Sequence, residues 1–306
     1  MTTAPTSGVQ RLGGPVLFVL LWSTGFVGAK YGLPYAEPFT FLGVRLLVAG
    51  VLLGLLALAL RSAGMTTRPQ YGRAAVVGLL LHAGYLGGVF YAISLGIPAG
   101  VSAVVVSLQP VLTAVLAARV LGEHPTRRQW LGLVLGVVGV ALVVGPGIVA
   151  AGESPTAYST TGLVACLVAL GSGTAGTVYQ KRHGDGIPLV WGTAVQYAAA
   201  AAVLFAIAAA TEEMTIRWTG EFVAAFVWLV AGLSLGAVLL LLLLLRRGTA
   251  SSVSSLYYLV PPAVAVEAYL LFGERVSALS LAGLAVTALG VGLVVVPPRV
   301  SPSETG

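Results

Sequence analysis

Three formally charged side chains, Lys30, Arg45 and Glu267, stand inside otherwise apolar stretches. A charge at membrane depth is costly, so such residues face a protein interior or water and mark ion or substrate pathways. Each lies about three to seven residues from one end of its run, so helix rise puts all three within about 10 Å of one membrane face. Lys30 reads as a cation that snorkels to that face. Arg45 and Glu267 lie too deep for that. They are expected either to form a structural salt bridge or to act as a gate or coupling site, with Glu267 taking up a proton or a substrate amine.

A second set is polar but uncharged. Ser23, His82, Ser107, Gln109, Ser172, Gln196, Ser234, Tyr257 and Tyr258 fall well inside apolar runs, with Trp22, Tyr85 and Tyr179 near them in sequence. A serine hydroxyl can bond back to its own helix. His82, Gln109 and Gln196 carry larger polar surfaces that are costlier to leave unpaired. Aromatic walls with a few polar groups suit a small organic ligand, although aromatics also serve as ordinary core filling. Trp22, Ser23, His82, Tyr85, Gln109, Tyr179, Gln196, Tyr257 and Tyr258 are therefore the candidate substrate-binding residues. Pro110, Pro261 and Pro262 lie near the middle of two runs. Proline removes a backbone donor and clashes with the preceding turn, so each site is expected to kink or open its helix. The freed carbonyls then need partners, and a central cavity is one place to find them.

The surroundings of these residues are set by composition. Of 306 residues, 58% are hydrophobic and 8% charged, against about 25% charged in a soluble domain. Runs near 14–33, 39–60, 74–96, 99–121, 129–148, 161–181, 187–209, 221–245, 250–272 and 278–297 are each about long enough to cross a bilayer core of roughly 30 Å. The chain thus reads as an all-α polytopic membrane protein with ten transmembrane helices and no sizeable soluble domain. If the N-terminus is cytoplasmic, 12 loop arginines and lysines fall inside and 2, Arg217 and Arg275, fall outside. That asymmetry places both termini in the cytoplasm. The formal charge of +6 is then a topology signal, and no nucleic-acid partner is implied. The single cysteine, Cys166, can form no internal disulfide and reads as a small buried hydrophobe. The run from Pro15 is too long for a signal-peptide core and lacks a clean cleavage site.

Shifting the chain by 151 residues lays 99–146 on 250–297 with 16 of 48 positions identical. Pro110 falls on Pro261, Gly122-Glu123 on Gly273-Glu274, Gly132 on Gly283 and Gly139 on Gly290; Lys30 falls on Lys181. Each repeat holds five spans, an odd number, so the second must cross the membrane in the opposite sense. Inverted repeats are a transporter architecture with the substrate site at the midplane, where the repeats meet. The glycines of spans five and ten allow close backbone approach, within one protomer or in a homodimer.

The stretches LLWSTGFVGAKYGLPYAEPFTFLGVR (20–45), YLGGVFYAISLGIPAGVSAVVVSLQPVLTAVLAARVLGE (85–123), TVYQKR (177–182) and SSLYYLVPPAVAVEAYLLFGE (254–274) resemble EamA-type carriers of the drug/metabolite transporter superfamily. The resemblance covers roughly residues 14–297. It implies a first five-helix unit over 14–148 and a second, inverted unit over 161–297, between cytoplasmic tails at 1–13 and 298–306. It also implies a shared central cavity and export or exchange of small metabolites or amino acids. Glu267 departs from the resemblance, which puts a small or apolar residue there.

Other classes fit less well. Gly171-Ser172-Gly173 is superficially like an intramembrane serine protease motif, but that chemistry needs a histidine within reach, and only His82 and His183 bear on it, one distant and one in a loop. One aspartate, Asp185, supplies no cluster for Mg²⁺, and no Gly-Lys-Ser/Thr phosphate loop exists. A channel would want a filter loop or charged ring. No enzyme activity, cofactor or metal is expected. The expected partners are a small-molecule substrate, the lipid bilayer, and a proton or counter-substrate. The 14 arginines against 2 lysines suit a GC-rich bacterial genome and hence the cytoplasmic membrane.

Overall fold

The structure, a computed structural model, describes residues 8–62, 64–120, 126–149, 158–237, 240, 256–274 and 277–295. Ten helices order the described chain: α1 (Gly8–Gly32), α2 (Pro38–Ala59), α3 (Arg68–Ser94), α4 (Ala99–Val106 and Gln109–Val120), α5 (Arg127–Val149), α6 (Thr160–His183), α7 (Leu189–Thr211), α8 (Gly220–Ala237), α9 (Val260–Phe272) and α10 (Ala278–Val295). Eight are long and apolar enough to cross a membrane, and α9 and α10 are shorter apolar helices. One isolated bridge, Ala36 with Ile216, is the extended pairing among the described residues. The protein is an all-α polytopic membrane protein. Gly122-Glu123, Arg275, Pro297, most of both tails and the expected ends of spans eight and nine at 241–255 lie outside the described residues.

Local chemistry sets several helix ends. The Ser159 hydroxyl accepts from Gly162 N–H at the start of α6, and the Thr219 hydroxyl accepts from Phe222 N–H at the start of α8. Each satisfies a donor that the first turn leaves open. Gly273 closes α9 with φ of 65°, a conformation that suits glycine. Helix α3 starts at Arg68, six residues before the expected 74, because Gln70 Oε1 accepts from the Thr66 and Thr67 N–H groups and secures a polar first turn.

The packing obeys a two-fold exchange of the repeats. Helix α2 packs most extensively on α7, and α5 on α10; α1 meets α8 and α9, as α6 meets α3 and α4. Under the 151-residue shift, α2 maps to α7 and α5 to α10, so each pair sits on the pseudo-axis. The α5–α10 contact is built by glycine. A Cβ on Gly132 would lie 2.5 Å from the Gly290 carbonyl oxygen, and one on Gly139 would lie 2.6 Å from that of Gly283. Residue numbers rise on one helix as they fall on the other, so the two run antiparallel, as an inverted repeat requires. These glycine faces are occupied inside the protomer. By contrast α1 and α9 run parallel: Ser23 bonds Glu267 and Lys30 bonds Glu274, both at a separation of 244 residues.

Both prolines of the repeat stand where a helix restarts. The first half of α4 ends at Val106, turns through Ser107 and Leu108, and resumes at Gln109 with Pro110 second. Helix α9 begins with Pro261 and Pro262 in its first turn, after a 3₁₀ turn at Tyr257–Leu259. Two further irregularities carry no proline. Residues Leu79–Leu86 of α3 and Trp228–Ala237 of α8 are π-helical, and the 151 shift lays the first on the second.

Candidate functional site

The polar side chains divide into separate groups. The central one lies where α2, α3, α7 and α8 meet. Arg45, 3% exposed, comes from the interior of α2. Its Nε and Nη2 both donate to the Ser234 hydroxyl at 3.3 Å, and its guanidinium lies 5.9 Å from the Phe90 ring centroid. His82 Nε2 lies 3.2 Å from Gln196 Oε1, and the His82 ring meets Tyr197 edge-on at 4.7 Å. The π-helical segments deliver two members, His82 from α3 and Ser234 from α8. Such segments open a helix locally and are frequent at functional sites. The Leu80 carbonyl of the first accepts from the Ser172 hydroxyl at 2.9 Å, so opening the helix leaves it a partner.

Two readings open in the sequence are replaced: the Arg45–Glu267 salt bridge, one of two alternatives there, and a freely snorkelling Lys30. Arg45 and Glu267 form no salt bridge; each uses a serine instead, because equal depth does not bring α2 and α9 face to face. Lys30 does not snorkel freely. Its ammonium pairs with Glu274, with the two side chains 32% and 15% exposed, and lies 4.5 Å from the Phe272 ring centroid. Glu274 Oε1 also accepts from the Ala99 N–H at the start of α4. One heptad deeper, Ser23 donates to Glu267 Oε1 at 2.6 Å, while Glu267 Oε2 is buried with no hydrogen-bond partner.

The remaining candidates are placed as follows. Trp22, Phe18 and Tyr257 form an aromatic cluster with centroids 5.2–5.5 Å apart. Gln109 Nε2 donates to Thr177 Oγ1 at 2.8 Å and to the Gly173 carbonyl at 3.2 Å, and Tyr85 packs on the same glycine. Tyr179 sits in the last turns of α6, its ring centroid 4.4 Å from that of His183 at a tilt of 31° and away from the others. The backbone of Tyr258 lies in the 3₁₀ turn, and its side chain is outside the described residues. Sequence reasoning missed Phe90, Tyr197 and the partnership of Lys30 with Glu274. The heptad from Ser23 to Lys30, matched by that from Glu267 to Glu274, was the available signal for the last. Among the described residues no group of three or more His, Cys, Asp or Glu side chains could hold a metal ion.

The Lys30 end of the bundle is tied across the repeats. Arg217 donates to the Pro34 carbonyl, Tyr35 donates to Glu221, and Glu212 accepts from the N–H groups of Phe39 and Thr40 at 2.8 Å each. In the polar centre Arg45, Gln196 and Ser234 are 3%, 8% and 1% exposed, while His82 is partly buried.

Comparison with known proteins agrees with this architecture. The model of the EamA-like transporter family matches twice, over residues 14–145 and 159–296. The chain is 30% identical over 228 residues to the uncharacterized transporter YvbV of Bacillus subtilis, covering 71% of this chain and 70% of that one. It is 28% identical to the uncharacterized inner membrane transporter YedA of Escherichia coli, over 64% of this chain and 61% of that one. It is 26% identical to a probable amino-acid metabolite efflux pump of Salmonella typhimurium, over 55% of this chain and 52% of that one. A solved crystal structure shares the fold with TM-score 0.62 at 18% identity, over 94% of this chain and 98% of that one. With two halves that each match the family and pack as inverted copies, the chain belongs to the EamA-like transporter family.

Proposed function

We propose that this membrane transporter is a secondary carrier, exporting or exchanging small metabolites or amino acids by alternating access around the polar centre. The observation that carries this reading is the polar group of Arg45, Gln196 and Ser234, all buried, with the half-buried His82, drawn from helices that the repeat symmetry pairs. Inverted repeats give such a carrier two nearly equal ways to pack, one open to each side. The name of the Salmonella relative, "probable amino-acid metabolite efflux pump", supports the substrate range. The loop arginines support cytoplasmic termini in the cell membrane, with the Lys30 end outside. In that orientation the Lys30–Glu274 pair serves as an outer gate and Glu267 as the coupling residue, driven by a proton or a counter-substrate. Counterflow tests the function: proteoliposomes loaded with an unlabelled amino-acid mixture should accumulate labelled amino acids transiently and saturably. Non-saturable dissipation would point to a channel, and a chemically changed product to an enzyme.

A further inference from the structure

Arg45 carries a permanent charge in a place where charge is costly, and the fold gives it little in return. A guanidinium has five N–H donors. Among the described residues two are used, both on the single hydroxyl of Ser234 at 3.3 Å, a long contact for a charge-assisted bond. Among the described residues the one salt bridge is Lys30–Glu274, so Arg45 has no carboxylate partner. The undescribed acids, Glu123, Glu153 and Glu304, belong by sequence to two inter-span loops and the C-terminal tail. Nearby, the Gln196 side-chain amide nitrogen bonds to no described residue while its oxygen takes His82. The 151 shift lays Arg45 on Gln196, so the two sit at equivalent points of the repeats with a charge on one side only.

Resting on the carrier reading, we propose that the Arg45 cluster is an anion receptor and that the carried solute bears a single carboxylate. A guanidinium offers a planar, bidentate match to a carboxylate. Arg45 is the one side chain of the cluster with a permanent charge, so a monoanion neutralises it, whereas a dianionic phosphate would leave a buried excess. Gln196 and Ser234 supply the flanking hydrogen bonds. The carboxylate can belong to a simple organic acid or to the acid end of a zwitterion, and the probes below separate those sources.

The test uses the purified full chain with matched sets: leucine, 4-methylpentanoate and leucinamide, then phenylalanine, 3-phenylpropionate and phenylalaninamide. Thermal stabilisation reports binding and counterflow reports transport. At least one acid form should bind about tenfold or more tightly than its amide, as loss of a buried charge partner implies. Stabilisation by the amino acids alone assigns a zwitterion; stabilisation by the deaminated acids as well assigns a general carboxylate site. Arg45→Gln should erase the acid-over-amide preference, and Arg45→Lys should keep part of it. Should Arg45→Gln fail to fold, Ser234→Asp supplies an internal carboxylate at the same two nitrogens. It should raise thermal stability and abolish acid binding. Equal binding of acids and amides, a preference that survives Arg45→Gln, or no stabilisation by any acid overturns the inference. If acids bind selectively but no probe exchanges across the vesicle, the receptor stands and the carrier reading fails. If amides exchange as well as acids, the carrier stands and the receptor fails.

Discussion

Lys30 and Arg45 are both cations set in apolar helices, and their surroundings could hardly differ more. Lys30 lies near the end of α1, has Glu274 as partner and keeps about a third of its side chain exposed. Arg45 lies inside α2, is 3% exposed and, among the described residues, finds one serine and one aromatic ring. The first arrangement returns to its own fold most of what burying a charge takes away. The second leaves the charge for something the described chain does not provide. A membrane protein keeps an uncompensated buried charge where it has a use for it, so the contrast separates a tie that holds helices from a group held ready for a ligand.

The contrast breaks most decisively at Arg45. Removing a buried charge that has no ionic partner removes its desolvation penalty. Arg45→Gln should therefore leave the melting temperature unchanged or higher while exchange falls at least about tenfold, an affinity loss of roughly 1.4 kcal/mol or more. A structural arginine would give the reverse, with stability lost and residual exchange unaltered per folded molecule. Next in size is the Ser23–Glu267 rung. Ser23→Ala leaves both Glu267 oxygens without a partner, which should lower stability by about 1–3 kcal/mol. Adding Glu267→Gln to Ser23→Ala should recover part of that loss in a denaturation series, because a neutral amide is cheaper to bury unpaired. The same Glu267→Gln change alone should flatten the pH dependence of exchange if the carboxyl couples transport to protons; an unaltered profile would remove it from that role.

Lys30–Glu274 should rank lower as a stability element. Its side chains are partly exposed, so a double-mutant cycle with Lys30→Gln and Glu274→Gln should show coupling of about 1 kcal/mol or less. Salt should weaken it. The smallest effect belongs to Tyr35, outside the spans. Its hydrogen bond to Glu221, with smaller contributions from desolvation and the same charge, raises its pKa above the ordinary value of 10.0. A phenol with a raised folded pKa stabilises fully below its unfolded pKa, and loses that as pH rises through the folded value. Thermal stability should thus fall slightly above about pH 10, and Tyr35→Phe should remove that part of the fall.

Much of the architecture was legible in the sequence because prolines, glycines and charges act on the backbone or on topology wherever they stand. Pro110 and Pro261 mark helix restarts, and Gly132, Gly139, Gly283 and Gly290 mark an antiparallel crossing, all through one constant offset. The site was less legible. Depth along a helix can be counted, but rotation about its axis cannot, so a salt bridge between Arg45 and Glu267 is one of two readings the sequence allows, and the two instead face Ser234 and Ser23. The stretch LLLHAGYL at 79–86 has no proline to announce that it is π-helical, and its effect on His82 appears only in three dimensions. Tyr179 fell in a span by counting, yet α6 carries it to the end of the helix beside His183.

Alternating access is tested most directly by locking the Lys30 end. Cys166, fully buried, is first replaced by serine so that Lys30→Cys and Glu274→Cys supply the only thiols. A short reducible bis-thiosulfonate linker across them should stop counterflow, and reduction should restore it. Exchange that continues at its full rate with the linker in place would contradict a carrier that must open there.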